Sequence, residues 1–175
     1  MKGGIVAKTK AVRGKPVHAS QSEVTEVVFP NDANPMGNML GGAVMHLMDM
    51  TGAIAAHRHS GSNVVTASVD HMDFRCPIHI GDLIVLKASV NRVFSTSMEV
   101  GVKVYREEGQ TMRREHTSSA YMTFVAVDEA GRPLAVPPVI PQTAQDRRRF
   151  REAGARRRLR LQHRSRKTPR VRKAR

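Results

Sequence analysis

One carboxylate, Asp49, stands in the otherwise nearly apolar run GGAVMHLMDMTGAIAAHRH from Gly41 to His59. Burying an unpaired carboxylate costs roughly several kcal/mol or forces its pKa upward, so such a group is either paired or put to use. The run opens on Gly41 and Gly42. Backbone N–H groups at a helix N-terminus lack partners inside the helix and stabilise developing negative charge, the chemistry of an oxyanion hole. Asp49 lies about 10 Å further along the axis by helical rise, too far to share a reacting atom with that terminus. A second copy of the helix laid alongside antiparallel closes the gap. The spacing therefore suggests a composite site across a homodimer, with amide donors from one subunit and Asp49 from the other. A structural ion pair, for example with Arg58, is the competing reading of the same carboxylate.

The element that must hold these groups is legible. Asn38 is a candidate cap, apolar residues recur with helical period, and the run closes on the basic His57-Arg58-His59, which suits a helix C-terminus. At about 100° per residue, Val44, Leu47, Met48, Thr51, Ile54 and Ala55 form one stripe, the expected core face. Asp49 falls off that stripe beside Met45, Gly52, Ala53 and Ala56, whose small side chains admit close approach by another backbone or a ligand. His46, His57 and His59 on the same helix point in diverging directions and include no i,i+4 pair, so no metal site is expected.

Strand-like runs surround the helix: an earlier one at about Ser22–Val28, then Val64–Phe74, Leu83–Phe94, Ser97–Tyr105 and Glu115–Val127. In the fourth, Met98, Val100, Val102 and Val104 alternate with Ser97, Glu99, Gly101 and Lys103, which predicts one buried and one wet face. Turn residues separate the runs, at Pro77 through Gly81-Asp82, at Glu107-Glu108-Gly109 and at Asp128 through Gly131-Arg132-Pro133. The order is α+β with antiparallel strands, not repeating βαβ. Alternation places Asp70 opposite His71 and Asp73, so the three cannot converge and are expected at a surface.

The segments NDANPMGNMLGGAVMHLMD, NVVTASVDHMDFRCPIHIGDLIVLKASV and SMEVGVKVY, in this order over about residues 20–136, resemble the hotdog-fold acyl-CoA thioesterases of the bacterial short-chain and brain cytosolic acyl-CoA hydrolase branch. The resemblance implies a curved antiparallel sheet wrapped around one long central helix, dimerising, with relatives that also form hexamers as trimers of dimers. It implies that Asp49 is the catalytic carboxylate, a general base toward water or a nucleophile, that Asn34 reaches the same site from the partner subunit, and that the amides of Gly41 and Gly42 hold the thioester oxygen. Thr66 and Ser68, on one strand face, are candidate pantetheine neighbours. Arg92, Ser95 and Ser97, in the loop between two strands, are candidates for CoA phosphate contacts. No cofactor is implied, CoA being part of the substrate. Ala43, where some relatives carry a large aromatic, and His46 leave the acyl length open.

Composition narrows the alternatives. Tryptophan is absent and tyrosine occurs twice, which offers little for stacking nucleobases. Cys76 is the only cysteine, so no intrachain disulfide forms, in agreement with a reducing compartment. With no run of about 18 apolar residues and no apolar core in the N-terminal segment, a cytoplasmic protein is expected. The formal charge of +14 is unevenly placed: residues 1–141 hold 14 Lys/Arg against 13 Asp/Glu, and residues 142–175 hold 15 against 2. Three regions are therefore expected, a flexible segment 1–19, a folded domain 20–141, and a basic tail 142–175 that is disordered or carries a short helix near Thr143–Leu161. Such a tail binds polyanions without sequence readout, or is a solvated extension. A non-catalytic acyl-CoA sensor reading out through this tail is the alternative to an enzyme, though retention of both Asp49 and Asn34 favours catalysis.

Overall fold

The computed structural model of the chain describes residues 13–109 and 111–167. In chain order the strands and helices are β1 (Lys15–Pro16), β2 (Ser22–Val27), α1 (Gly41–Ser60), β3 (Asn63–Val69), β4 (Leu83–Phe94), β5 (Ser97–Glu107), β6 (Arg114–Val127), β7 (Val139–Ile140) and α2 (Ala144–Lys167). Five strands form one antiparallel sheet in the order β2-β4-β5-β6-β3, and β1 pairs with β7 in parallel. α1 touches all five strands of the larger sheet. Five strands at about 4.8 Å spacing are roughly twice as wide as a helix, so one helix reaches them all only where the sheet curls around it. The curved sheet around a central helix is the arrangement the resemblance implies.

The core fills the space between α1 and the inner sheet face, with Phe124, Met48, Ile84, Leu86 and Met98 among its fully buried side chains. The helix face differs from the expected stripe. Gly52, Ala56 and His59 are buried with Val44, Met48, Thr51 and Ala55, while Ile54 is exposed. Close approach of the sheet explains the shift: a Cβ on Gly52 would stand 3.0 Å from the Phe124 ring, so only glycine lets the helix settle this deep. Asn38 does not cap the helix. Leu40 occupies the cap position without a side-chain hydrogen bond, and Asn38 instead bridges to His79. At the other end Gly61, at φ 70°, takes the left-handed position and donates its N–H to the His57 carbonyl.

β3 stops at Val69 rather than Phe74, and residues 70–82 leave the sheet as a loop. Two bulges reset the alternation of side chains. In β3 the register skips Ala67 between Thr66 and Ser68, and in β4 it skips Asn91 between Val90 and Arg92. One extra residue reverses which face the following side chains occupy.

The outer face of β5 is not wet at Glu99, which is fully buried beneath α2. The helix expected near Thr143–Leu161 continues to Lys167 and docks on the sheet, with Ala153 and Gly154 buried against it. Arg156 and Arg160 both reach the Glu99 carboxylate, Arg160 Nη1 donates to Asp70 Oδ2 at 2.6 Å, and Arg156 lies 3.5 Å over the Tyr121 ring. Asp70 is therefore ion-paired, while His71 and Asp73 form an exposed pair of their own. The segment 1–19 expected to be flexible instead contributes β1 and most of a 3₁₀ turn (Val17–Ser20); residues 1–12 and 168–175 lie outside the described residues. No helix among the described residues is long and apolar enough to cross a membrane.

Candidate active site

Asp49 and Thr66 meet. Thr66 faces inward because it precedes the β3 bulge, opposite the buried Phe124 of β6, and its hydroxyl donates to Asp49 Oδ1 at 2.5 Å. The bond turns a helix carboxylate toward a cavity of about 380 Å³ that Asp49 and Thr66 line together with Gly42, His46, Met72 and Met122. Most of the remaining wall is apolar, with Met45, Met48 and Val69. Arg58, the candidate ion-pair partner, is elsewhere: its guanidinium donates to the Gln21 carbonyl and to Ser22 Oγ. Asp49 is thus held by a neutral donor and faces open space.

The helix-opening glycines divide. Gly42 lines the Asp49 cavity, and a Cβ there would meet nothing within 4 Å. Gly41 faces a second groove under Phe74, whose ring would stand 3.3 Å from a Cβ at that position. The first hydrogen bond of the helix runs from the Val44 N–H to the Leu40 carbonyl, so the amides of Gly41 and Gly42 lack intrahelical partners. With no side-chain cap competing for them, they are available to an anionic oxygen.

Asn34 does not line the cavity of its own chain. Its Oδ1 accepts the N–H groups of Met36 and Asn38, closing a compact turn. Its Nδ2 takes no hydrogen-bond partner among the described residues.

The other expected contacts lie on the far side of the sheet. Ser68 does not share a face with Thr66; the bulge sends it outward, in register with Thr123. Ser68 and Ser97 line a groove of about 750 Å³ beneath the C-terminal half of α2. Arg92 also faces outward, because Asn91 bulges, and its guanidinium packs 4.2 Å over the Phe150 ring of α2. Ser95 occupies the β4–β5 turn at φ 64° and takes part in neither cavity. His46 lines the Asp49 cavity, whereas His59 is buried at the opposite end of α1. Among the described residues no group of three or more His, Cys, Asp and Glu stands close enough to hold a metal ion.

The thioesterase superfamily pattern matches residues 36–113. Acyl-coenzyme A thioesterase 11 of Mus musculus is 43% identical over 148 residues, 83% of this chain and 25% of that protein, so the chain spans about a quarter of this relative's length. A solved apo-hexameric acyl-CoA thioesterase superposes with a TM-score of 0.84 at 38% identity, covering 87% of this chain and 97% of that one. An acyl-CoA hydrolase of Staphylococcus aureus, solved with butyryl coenzyme A, coenzyme A and coenzyme A disulfide, superposes at 0.80 with 35% identity, over 86% of this chain and 92% of that one. Structures of the S. aureus protein include variants with one asparagine, one aspartate and one threonine each changed to alanine; in that order the three stand 15 and 17 positions apart, the spacing of Asn34, Asp49 and Thr66 here. With its curled five-stranded sheet, its central helix and these similarities along most of its length, the chain belongs to the hotdog-fold acyl-CoA thioesterase family of the thioesterase superfamily.

Proposed function

We propose that the protein hydrolyses acyl-CoA to a free acid and CoA, without a cofactor, in a site shared between two subunits. The observation that carries this reading is the Thr66-held Asp49 carboxylate at the wall of a largely apolar cavity. A thioester carbonyl is already activated, so one positioned base and a pair of amide donors suffice. Asp49 takes a proton from water as the water oxygen bonds to the thioester carbon, the oxyanion rests on the helix-opening amides of the partner subunit, and the carbon–sulfur bond breaks to release the CoA thiolate, which is then protonated. Attack by Asp49 itself, giving an acyl anhydride that water cleaves, begins from the same geometry.

Asn34 enters this site from the partner subunit and orients the water or the substrate. Its absence from the lining of its own chain's Asp49 cavity and the matching spacing of altered residues in the S. aureus relative support that placement. A dimer is the smallest assembly this requires, and the solved hexameric relative is a precedent for three such pairs. The unpaired Cys76 fits a reducing cytoplasmic setting.

Thiol release from a panel of acyl-CoAs tests the reading. Asp49→Ala and Asn34→Ala should each lose roughly a hundredfold or more in kcat. Mixing the two variants with subunit exchange should restore roughly a quarter of wild-type activity, because half of the dimers then hold one intact site. Failure of the wild type on every acyl length would end the hydrolase reading, and failure of the mixture alone would end the shared site.

A further inference from the structure

We infer that a pocket between the outer sheet face and the N-terminal half of α2 binds a dianionic phosphate group, at a site separate from the catalytic cavity. The pocket, of about 410 Å³, is floored by residues of β2, β4 and β5 and walled by Gln145 and Arg149 of α2. None of its lining residues lines the Asp49 cavity, which lies on the inner side of the sheet.

The charges in the pocket are placed against their own repulsion. Lys87 and Lys103 stand directly opposite each other in the β4–β5 register. Like charges at such a cross-strand pair destabilise a sheet. Glu23, opposite Lys87 on its other side, pairs with it at 3.0 Å. Lys103 has Ser119 on its other side and forms no ion pair among the described residues. Its charge reaches His116, whose pKa is lowered by burial first, then by Arg75 and Lys103. α2 adds a third cation. The Arg149 guanidinium is held over the sheet by the buried Ser89 hydroxyl, to which Nη1 donates at 3.3 Å. Asp146, one turn earlier, attracts Arg149 but turns Oδ2 back to accept the N–H groups of Gln142 and Thr143.

Three cations against the one carboxylate of Glu23 leave the lining with two positive charges in excess, which a phosphate dianion balances. The donors suit that ligand as well as the charge does. A guanidinium gives a phosphate two parallel hydrogen bonds, and an ammonium gives it a compact point charge. Tyr105, whose hydroxyl takes no hydrogen bond among the described residues, and Gln145 bring neutral polar groups for whatever carries the phosphate. Docking of α2 makes the difference between a site and a pair of solvated lysines, because it walls the pocket and fixes Arg149 across from them.

Calorimetry on the full chain at about pH 8, with inorganic phosphate and with glycerol phosphate as probes and chloride matching the ionic strength, tests the site. The wild type should bind at least one probe saturably. Lys103→Gln and Arg149→Gln should each weaken that binding about tenfold or more, and Lys103→Arg should keep most of it. Lys103→Gln should also raise the denaturation midpoint measured without phosphate, since it removes the cross-strand repulsion. Phosphate should raise the midpoint of the wild type and leave that of Lys103→Gln in place. Both variants should keep the wild-type circular dichroism; should one fail to fold, the other decides. Tighter binding of glycerol phosphate would identify an ester as the ligand, and tighter binding of inorganic phosphate the free anion; either supports the site. Absence of saturable binding of both probes to the wild type, or binding that Lys103→Gln and Arg149→Gln leave unchanged, overturns the inference. Displacement of the probe by CoA also overturns it, since the pocket would then belong to the substrate.

Discussion

At the scale of single residues, Asp49 depends on one neighbour. The Thr66 hydroxyl is the only hydrogen-bond donor to it among the described side chains, at 2.5 Å. A hydrogen bond to a charged group contributes about 1.5–3 kcal/mol, so Thr66→Val should lower kcat by roughly tenfold to a hundredfold, with a smaller change in KM. Thiol-release kinetics check this, and a change confined to KM would mean that Thr66 serves binding alone. His59 is held differently. Fully buried at the end of α1, it donates Nε2–H to the Pro137 carbonyl at 3.0 Å and lies 3.2 Å from Ser20 Oγ. Burial lowers its pKa from the ordinary 6.5, Lys15 adds to the lowering, and the bond to Pro137 opposes it. A histidine whose folded pKa is depressed stabilises the fold above the unfolded value. As pH falls through about 6.5 the unfolded chain takes up the proton first, and the stability is lost toward the folded pKa. His116 is shifted the same way by burial and by Arg75 and Lys103. His59→Gln should therefore shrink, without abolishing, the difference in denaturation midpoint between about pH 7.5 and pH 5.5. An unchanged difference would show that His59 is not the titrating group.

At the scale of elements, α2 is the one whose role charge alone misdescribes. Its arginines suggest a solvated tail, yet several of them point inward at groups the outer sheet face has buried. Glu99 receives Arg156, Arg160 and the Asn91 amide, and Arg92 sits between Phe94 and the Phe150 ring of α2. Glu99→Gln keeps the shape and removes both ion pairs, at a cost of about 2 kcal/mol to the docking of α2. An arginine-rich helix is a ready trypsin substrate once it lifts, so cleavage within α2 should quicken by about tenfold or more in this variant. Equal rates would show that apolar contacts such as Ala153 hold the helix unaided. Apolar runs bounded by turn residues made α1 and β4 legible from the sequence, β4 to both of its ends, although α1 buries one face and β4 buries residues on both. They could not reveal the bulges at Ala67 and Asn91, since an inserted residue leaves no mark in composition and yet decides which face Ser68 and Arg92 occupy. Nor could they show that Glu99, in a polar position of a clean alternation, would meet two arginines from a segment some 60 residues later. Asp49 stood out as an exception to a pattern, whereas the groove under α2 exists only after folding.

At the scale of the whole molecule, β3 ends the five-stranded sheet with an unpaired edge. Val65 and Val69 on that strand are 50% and 51% exposed, and no bulky charge guards the stretch between them. An exposed apolar edge recruits another strand, and natural proteins that stay monomeric blunt such edges with charge or proline. A second copy pairing β3 against β3 would bury both valines. It would also join two sheets across the strand that carries Thr66, bringing the Asn34 loop of one subunit toward the Asp49 cavity of the other. In a symmetric pair every substitution appears twice, so Val65→Asp would set two like charges at one seam. The variant should sediment as a smaller species at concentrations where the wild type remains assembled. On the proposed shared site its specific activity should fall with dilution in step with dissociation, the monomer keeping Asp49 and Thr66 without a partner to supply Asn34. Full activity in a variant shown to be monomeric would place the whole catalytic apparatus within one chain.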